Sequence, residues 1–266
     1  MKNIISAVLS LAALSSCSFI KVDTSALAAL LSENGADVEI SATGGSRKSV
    51  SAKGPEVREY RGEGLPEFDS VESSIPVDIE YSDGDTYLEI TAARNIIPYI
   101  KTTVKGGTLR FSFNGAKVRH PGDIKAVVRT RGLKNITLNG AGDLNLEGPV
   151  VTDRLCVEVN GAGDIDIEDL SAESLRITVN GAGDVDIEKL SCTDFRVGVS
   201  GAGDIEADNI ECKEVNVVLS GAGDCTLAGR ADKADLSVNG VGSIDISALN
   251  VADVTSGSNG LGKIIR

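Results

Sequence analysis

Aspartates recur in this chain at intervals of about twenty residues, and carboxylates at fixed spacing are what a hard cation such as Ca²⁺ requires. Asp143, Asp164, Asp184, Asp204 and Asp224 each close a short motif, from Asn139-Gly-Ala-Gly-Asp143 to Ser220-Gly-Ala-Gly-Asp224. Asp166, Asp186, Glu206 and Asp245 form a second set two positions on, and Glu147, Glu168, Glu188 and Asp208 form a third. One reading is a cation-binding face. The other is a solvated acidic wall that deters aggregation at strand edges. The nine-residue calcium-roll motif is not present, because Asp directly follows the second Gly and the period is 20. If successive copies stack, like charges repeat about every 4.8 Å. Their repulsion is about 1 kcal/mol in bulk water and roughly 3–4 kcal/mol at an effective dielectric of about 20. Turn amides, solvent or cations must offset it.

The second chemistry belongs to Cys17. Lys2 gives a positive start, Ile4 to Leu14 is a compact apolar run, and Leu14-Ser15-Ser16-Cys17 follows at once. That order is a secretory signal, and its apolar part is too short to span a bilayer. The last four residues resemble the bacterial lipobox, which predicts cleavage before Cys17 and acylation of that cysteine. Each buried CH₂ of such a lipid contributes about 0.8 kcal/mol of membrane affinity. The expected location is the cell envelope, lipid-anchored, with the outer membrane favoured. Ser18-Phe19-Ile20-Lys21 does not decide between a periplasmic and a surface-exposed form.

Four further cysteines, Cys156, Cys192, Cys212 and Cys225, read as mostly buried. Cys192 and Cys212 fall one repeat apart, within disulfide range if repeats stack, so a bridge is allowed but not required. Cys156 falls at an outward position equivalent to Arg176 and Arg196. The single histidine, His120, precedes the repeats in Arg119-His-Pro-Gly and reads as a turn residue. No nucleophile motif, phosphate loop or His/Cys metal constellation is visible, so no catalytic residue is assigned.

These residues are positioned by a repeat, the first thing to seek in any chain. The first turn glycines are Gly140, Gly161, Gly181, Gly201, Gly221, Gly240 and Gly260, spaced by 21, 20, 20, 20, 19 and 20 residues. Before each turn, Leu138, Val159, Val179 and Val199 alternate with Ile136, Val157, Ile177 and Val197 in a period of two. After it, Leu144, Ile165, Val185, Ile205 and Cys225 do the same with Leu146, Ile167, Ile187, Ala207 and Leu227. Period two is strand geometry. A 20-residue unit cannot close its own core, but stacking buries each aliphatic column on the next. The predicted fold is therefore all-β, a single-chain β-helix or β-solenoid with about 20 residues per rung. Seven rungs make a column roughly 30 Å tall. The glycines suit bends of positive φ, and stacked Asn can form a ladder. A sandwich of repeated hairpins is the alternative.

The organisation that follows is a signal peptide over 1–16, a lipidated N-terminus and flexible tether over 17–56, and a β-helical domain over 57–266. The recognisable repeats start near residue 133. Ser82-Asp83-Gly84-Asp85 reads as a hairpin or tight turn. With 39 acidic and 26 basic residues the formal charge is −13, which opposes non-specific nucleic-acid binding and attraction to anionic lipid.

The chain resembles the family named "putative auto-transporter adhesin, head GIN domain", frequent among secreted proteins of the Bacteroidetes. The resemblance covers Phe68 to the C-terminus. It rests on Phe68-Asp-Ser-Val-Glu-Ser-Ser-Ile-Pro-Val-Asp-Ile, on Leu133-Lys-Asn-Ile-Thr-Leu-Asn-Gly-Ala-Gly-Asp143 and on the later turns. It implies a β-helix behind a signal peptide or lipobox and carries no catalytic residues. Cys225 in an aliphatic column and Lys263 at an Asp position depart from the pattern. Three functions follow as expectations: a non-enzymatic envelope lipoprotein binding a protein or glycan, a polysaccharide-active β-helix enzyme, and a structural protein of the envelope. The few aromatics and evenly spread carboxylates count against the enzyme. No cofactor is expected unless the Asp columns take Ca²⁺.

Overall fold

The computed structural model describes residues 49–115 and 117–266, which lie in one compact unit. The signal sequence, Cys17 and most of the expected tether fall outside the described residues.

From residue 135 onward the chain winds as predicted. Strands β10 (Asn135–Ala141), β11 (Leu144–Ala162), β12 (Ile165–Ala182), β13 (Val185–Ile187), β14 (Leu190–Ala202), β15 (Ile205–Ala222), β16 (Cys225–Val241), β17 (Ser243–Gly260) and β18 (Lys263–Ile265) stack in order. All these pairs are parallel and in register with the repeat. Leu155 lies on Leu175, then Phe195, Val215 and Ala234. The alternation has a physical consequence in every rung. Leu144, Leu146, Leu155, Val157 and Val159 are each at most 1% exposed, while intervening residues face out. The strands are long because backbone pairing continues through the Asn-Gly-Ala segment; it breaks at each Gly-Asp corner and, between β13 and β14, at 188–189.

The N-terminal part is built from β1 (Ser49–Ser51), β2 (Glu56–Tyr60), β3 (Ser70–Ser73), β4 (Asp78–Asp83), β5 (Tyr87–Ala93), β6 (Ile100–Lys105), β7 (Thr108–Phe113), β8 (Lys117–His120) and β9 (Lys125–Thr130). Two faces of the solenoid extend into it. On one, β10 lies on β3 and β3 on β7, all parallel, before β6 turns back antiparallel on β7. On the other, β11 lies on β4 and β4 on β9, again parallel. Antiparallel β5 and then β2 complete that face.

Three expectations change here. Ser82–Asp85 makes a tight turn but not a hairpin, because β9 inserts between β4 and β5. A hydrophobic alternation fixes which side of a strand is buried, not which neighbour it pairs with. Ordered structure starts before residue 57, since β1 pairs with β8 and β2 begins at Glu56. His120 closes β8 opposite Ser51 rather than occupying a turn, and it is exposed.

Candidate functional site

The Asp column runs along one corner of the solenoid as a continuous ladder. The backbone N–H of Asp164 donates to Asp143 Oδ1 at 3.0 Å, Asp184 to Asp164 at 2.9 Å, Asp204 to Asp184 at 2.8 Å and Asp224 to Asp204 at 2.7 Å. Each carboxylate thus accepts a charge-assisted bond from the rung above it. The last carboxylate, Asp224, accepts from both the N–H and the hydroxyl of Ser243. The first has a partner that the motif does not reveal: Asp143 N–H donates to Asp78 Oδ1 at 3.2 Å. Asp78 sits in Ile75-Pro-Val-Asp78, where neither turn glycine survives. The signal that finds it is register, because Ile79 lies under Leu144.

Glycine makes this corner sterically feasible. Gly161 has φ +143°, and a Cβ there would lie 1.9 Å from the Gly140 carbonyl oxygen. Gly181 and Gly201 meet the same obstacle at 1.9 Å. The stacked backbones leave no room for a side chain, so Gly is required on packing as well as on dihedral grounds. Just before the corner, Asn160 Nδ2 donates to Asn139 Oδ1, Asn180 to Asn160 and Asn259 to Asn239, at 3.0–3.1 Å. Ser200 and Ser220 interrupt that ladder.

A shallow groove of about 700 Å³ follows the corner, lined by Asp78, Asp143, Asp164, Asp184 and Asp204 with the Ala and Gly between them. Among the described residues, no group of three or more His, Cys, Asp or Glu is arranged to hold a metal ion. The neighbouring amide meets one oxygen of each ladder carboxylate.

The second acidic column behaves differently. Asp166 stacks on Asn145, and Asp186 and Glu206 follow it. Burial, reinforced by Asp186, Asp164 and Asp143, holds the Asp166 carboxyl above the ordinary aspartate range. Asn145 Oδ1 is buried without a hydrogen-bond partner. In the third column only Glu168 gains an amide, accepting from Gly148 N–H at 2.6 Å. The carboxylates are spread evenly along the stack rather than gathered around one point.

The cysteines fall where the repeat places them. Cys225 is 1% exposed within the core. Cys156 is half-buried beside Arg176. Cys192 and Cys212 are register partners one rung apart.

Comparison with known proteins agrees with this architecture. The family model described as "Putative auto-transporter adhesin, head GIN domain" matches residues 67–188 and 177–265. A crystal structure of a "putative adhesin" from Bacteroides fragilis is 27% identical, with a TM-score of 0.69 over 81% of this chain and 98% of that one. A "putative adhesin" from Parabacteroides distasonis is 19% identical, with a TM-score of 0.66 over 82% of this chain and 99% of that one. A "putative lipid binding protein" from the same species is 18% identical, with a TM-score of 0.64 over 82% of this chain and 100% of that one. The last two show a shared fold alone. No curated protein matches. With both matches spanning the stacked rungs and their N-terminal cover, the chain belongs to this head GIN domain family.

Proposed function

We propose that this protein is a non-enzymatic binding scaffold of the cell envelope, an adhesin held to the outer membrane by lipid on Cys17. The observation that carries the reading is the even repetition of outward side chains along a rigid stack. One outward column runs Asn135, Cys156, Arg176, Arg196, Asn216, Asp235. Such a face offers many evenly spaced weak contacts to an extended partner, as solenoid surfaces do. A catalytic centre needs a few groups converging on one reacting atom. The adhesin family adds support for an envelope or surface role. The ligand class is a glycan or a protein surface.

The test uses the full chain expressed in a bacterial host that processes lipoproteins. Labelled palmitate should enter the native chain and not the Cys17→Ser variant. Cells carrying the native chain should adhere to an immobilised panel of polysaccharides and matrix proteins more than cells carrying Cys17→Ser. Equal labelling of both chains would remove the anchor from the proposal. Release of soluble sugar fragments from the panel would replace adhesion with polysaccharide cleavage. The raised Asp166 carboxyl is the one feature that favours that second reading, since a general acid needs such a shift.

A further inference from the structure

Cys192 and Cys212 occupy one column of the stack, between Ala172 below and Ala231 above. Their sulfur atoms are 2.7 Å apart. In-register strands place such residues about 4.8 Å apart at Cα, inside the roughly 4.4–6.8 Å range of disulfides. The sulfurs are thus within about 0.7 Å of an S–S bond length of about 2.05 Å. No other pair of described cysteines is so placed. Cys156 stacks on Asn135 and Arg176, and Cys225 stacks between Ile205 and Ile244.

We infer that Cys192 and Cys212 are a covalent modification site, a rung-to-rung disulfide that staples the middle of the solenoid once the chain meets a disulfide donor. The step is thiol–disulfide exchange. Cys192, the more exposed of the two, attacks one sulfur of the donor as thiolate and expels the donor's other sulfur as a thiol. The Cys212 thiolate then attacks Cys192 Sγ in the mixed disulfide and expels the second donor thiol. Two protein thiols are oxidised, the donor is reduced by two electrons, and both protons pass to the donor thiols. The hydrogen bond between the two sulfurs, with burial, raises the Cys192 thiol well above the ordinary range. Thiolate is therefore scarce at neutral pH, and closure should accelerate about tenfold per pH unit. The staple closes a loop of about twenty residues, so it removes entropy chiefly from the unfolded chain.

The experiment incubates the full chain with oxidised glutathione, alkylates it in denaturant and digests it with trypsin. Cleavage after Lys189, Arg196 and Lys213 puts the two cysteines on separate fragments, 190–196 and 197–213. The expected product is these two fragments joined, about 2 Da lighter than their sum, with Cys156 and Cys225 alkylated. The melting temperature of the native chain should rise on oxidation by on the order of 5 °C. Cys192→Ala/Cys212→Ala should fold, because alanine already holds this column at Ala172 and Ala231, and its melting temperature should ignore the oxidant. Recovery of both fragments alkylated, both capped by glutathione, or joined to Cys156 instead would overturn the assignment.

Discussion

At the N-terminal end of the stack, strands running the other way cover the last parallel pairs, and the residues they enclose are large. Tyr81, Phe111 and Leu88 are at most 1% exposed there, and Tyr81 donates its hydroxyl to the Thr130 carbonyl at 2.7 Å. At the C-terminal end, the chain keeps its parallel course and empties its interior. Ser256 and Ser258 stand on Leu236 and Val238, and both serines are exposed. Between these ends every rung offers its neighbour the same surface, so nothing within the repeat tells it to stop. One end stops by reversing strand direction. The other withdraws the aliphatic column on which a further rung would pack.

The sharpest way to break this comparison is to remove one core side chain from each end. Phe111→Ala should cost about 3–5 kcal/mol, because antiparallel strands fix the surrounding walls and the cavity cannot collapse. Leu249→Ala in the last full rung should cost nearer 2 kcal/mol, because that rung can settle onto the one below. Denaturant unfolding of the two variants measures the difference. Equal losses would mean that the C-terminal rung is held as firmly as the covered end.

A second contrast lies within the glycine column. Gly201→Ala would place a Cβ 1.9 Å from the Gly181 carbonyl oxygen at φ +139°. A loss of about 3 kcal/mol or more is expected from clash and strained backbone together. Gly140 begins the column, and a Cβ there meets nothing within 4 Å although φ is +127°. Gly140→Ala should therefore show only the dihedral penalty, about 1–2 kcal/mol. If both variants unfold at the same denaturant concentration, stacking is not what demands glycine.

These contrasts also explain what the sequence could reveal. Within the repeat, neighbours in space are neighbours at twenty residues, so the core columns, the Asn ladder and the Cys192–Cys212 pairing all follow from alignment. Outside it that rule fails. β9 wedges between β4 and β5 from more than thirty residues away, and no local pattern encodes a strand's partner. Asp78 belongs to the ladder yet lacks its glycines, because Pro76 and Val77 make the same corner with nothing of its motif. The direction of each ladder bond was equally hidden. Repulsion between stacked carboxylates required an offset, but only geometry shows that the amide one rung above provides it.

The ladder joins the two regions, running from Asp78 in the N-terminal part to Ser243 near the far end. Asp184→Ala deletes one link and leaves the Asp204 N–H to water, at a cost of about 1 kcal/mol. Asp184→Asn keeps an acceptor oxygen and removes a charge from a column of like charges. Its stability should match or exceed that of the native chain at low salt. A loss as large as that of the alanine variant would show that the carboxylate's charge, not its acceptor oxygen, holds the rungs.

The smallest effect belongs to the neighbouring column, where no such amide offsets the charge on Asp166. Its carboxyl is raised by burial first and then by Asp186, Asp164 and Asp143. A raised carboxyl binds its proton more tightly in the folded chain than in the unfolded one. The resulting stabilisation is complete below the unfolded value of about 3.9 and is lost as pH rises through the folded value. At neutral pH the native chain therefore carries a penalty that Asp166→Asn removes. Asparagine occupies this column one rung lower, at Asn145. The variant should melt slightly higher than the native chain near neutral pH, and the two curves should converge below about pH 4. Melting curves across that range decide the matter. A variant advantage that persists unchanged in acid would trace to packing rather than charge, and would place the second column alongside the ladder as a tolerated wall of carboxylates.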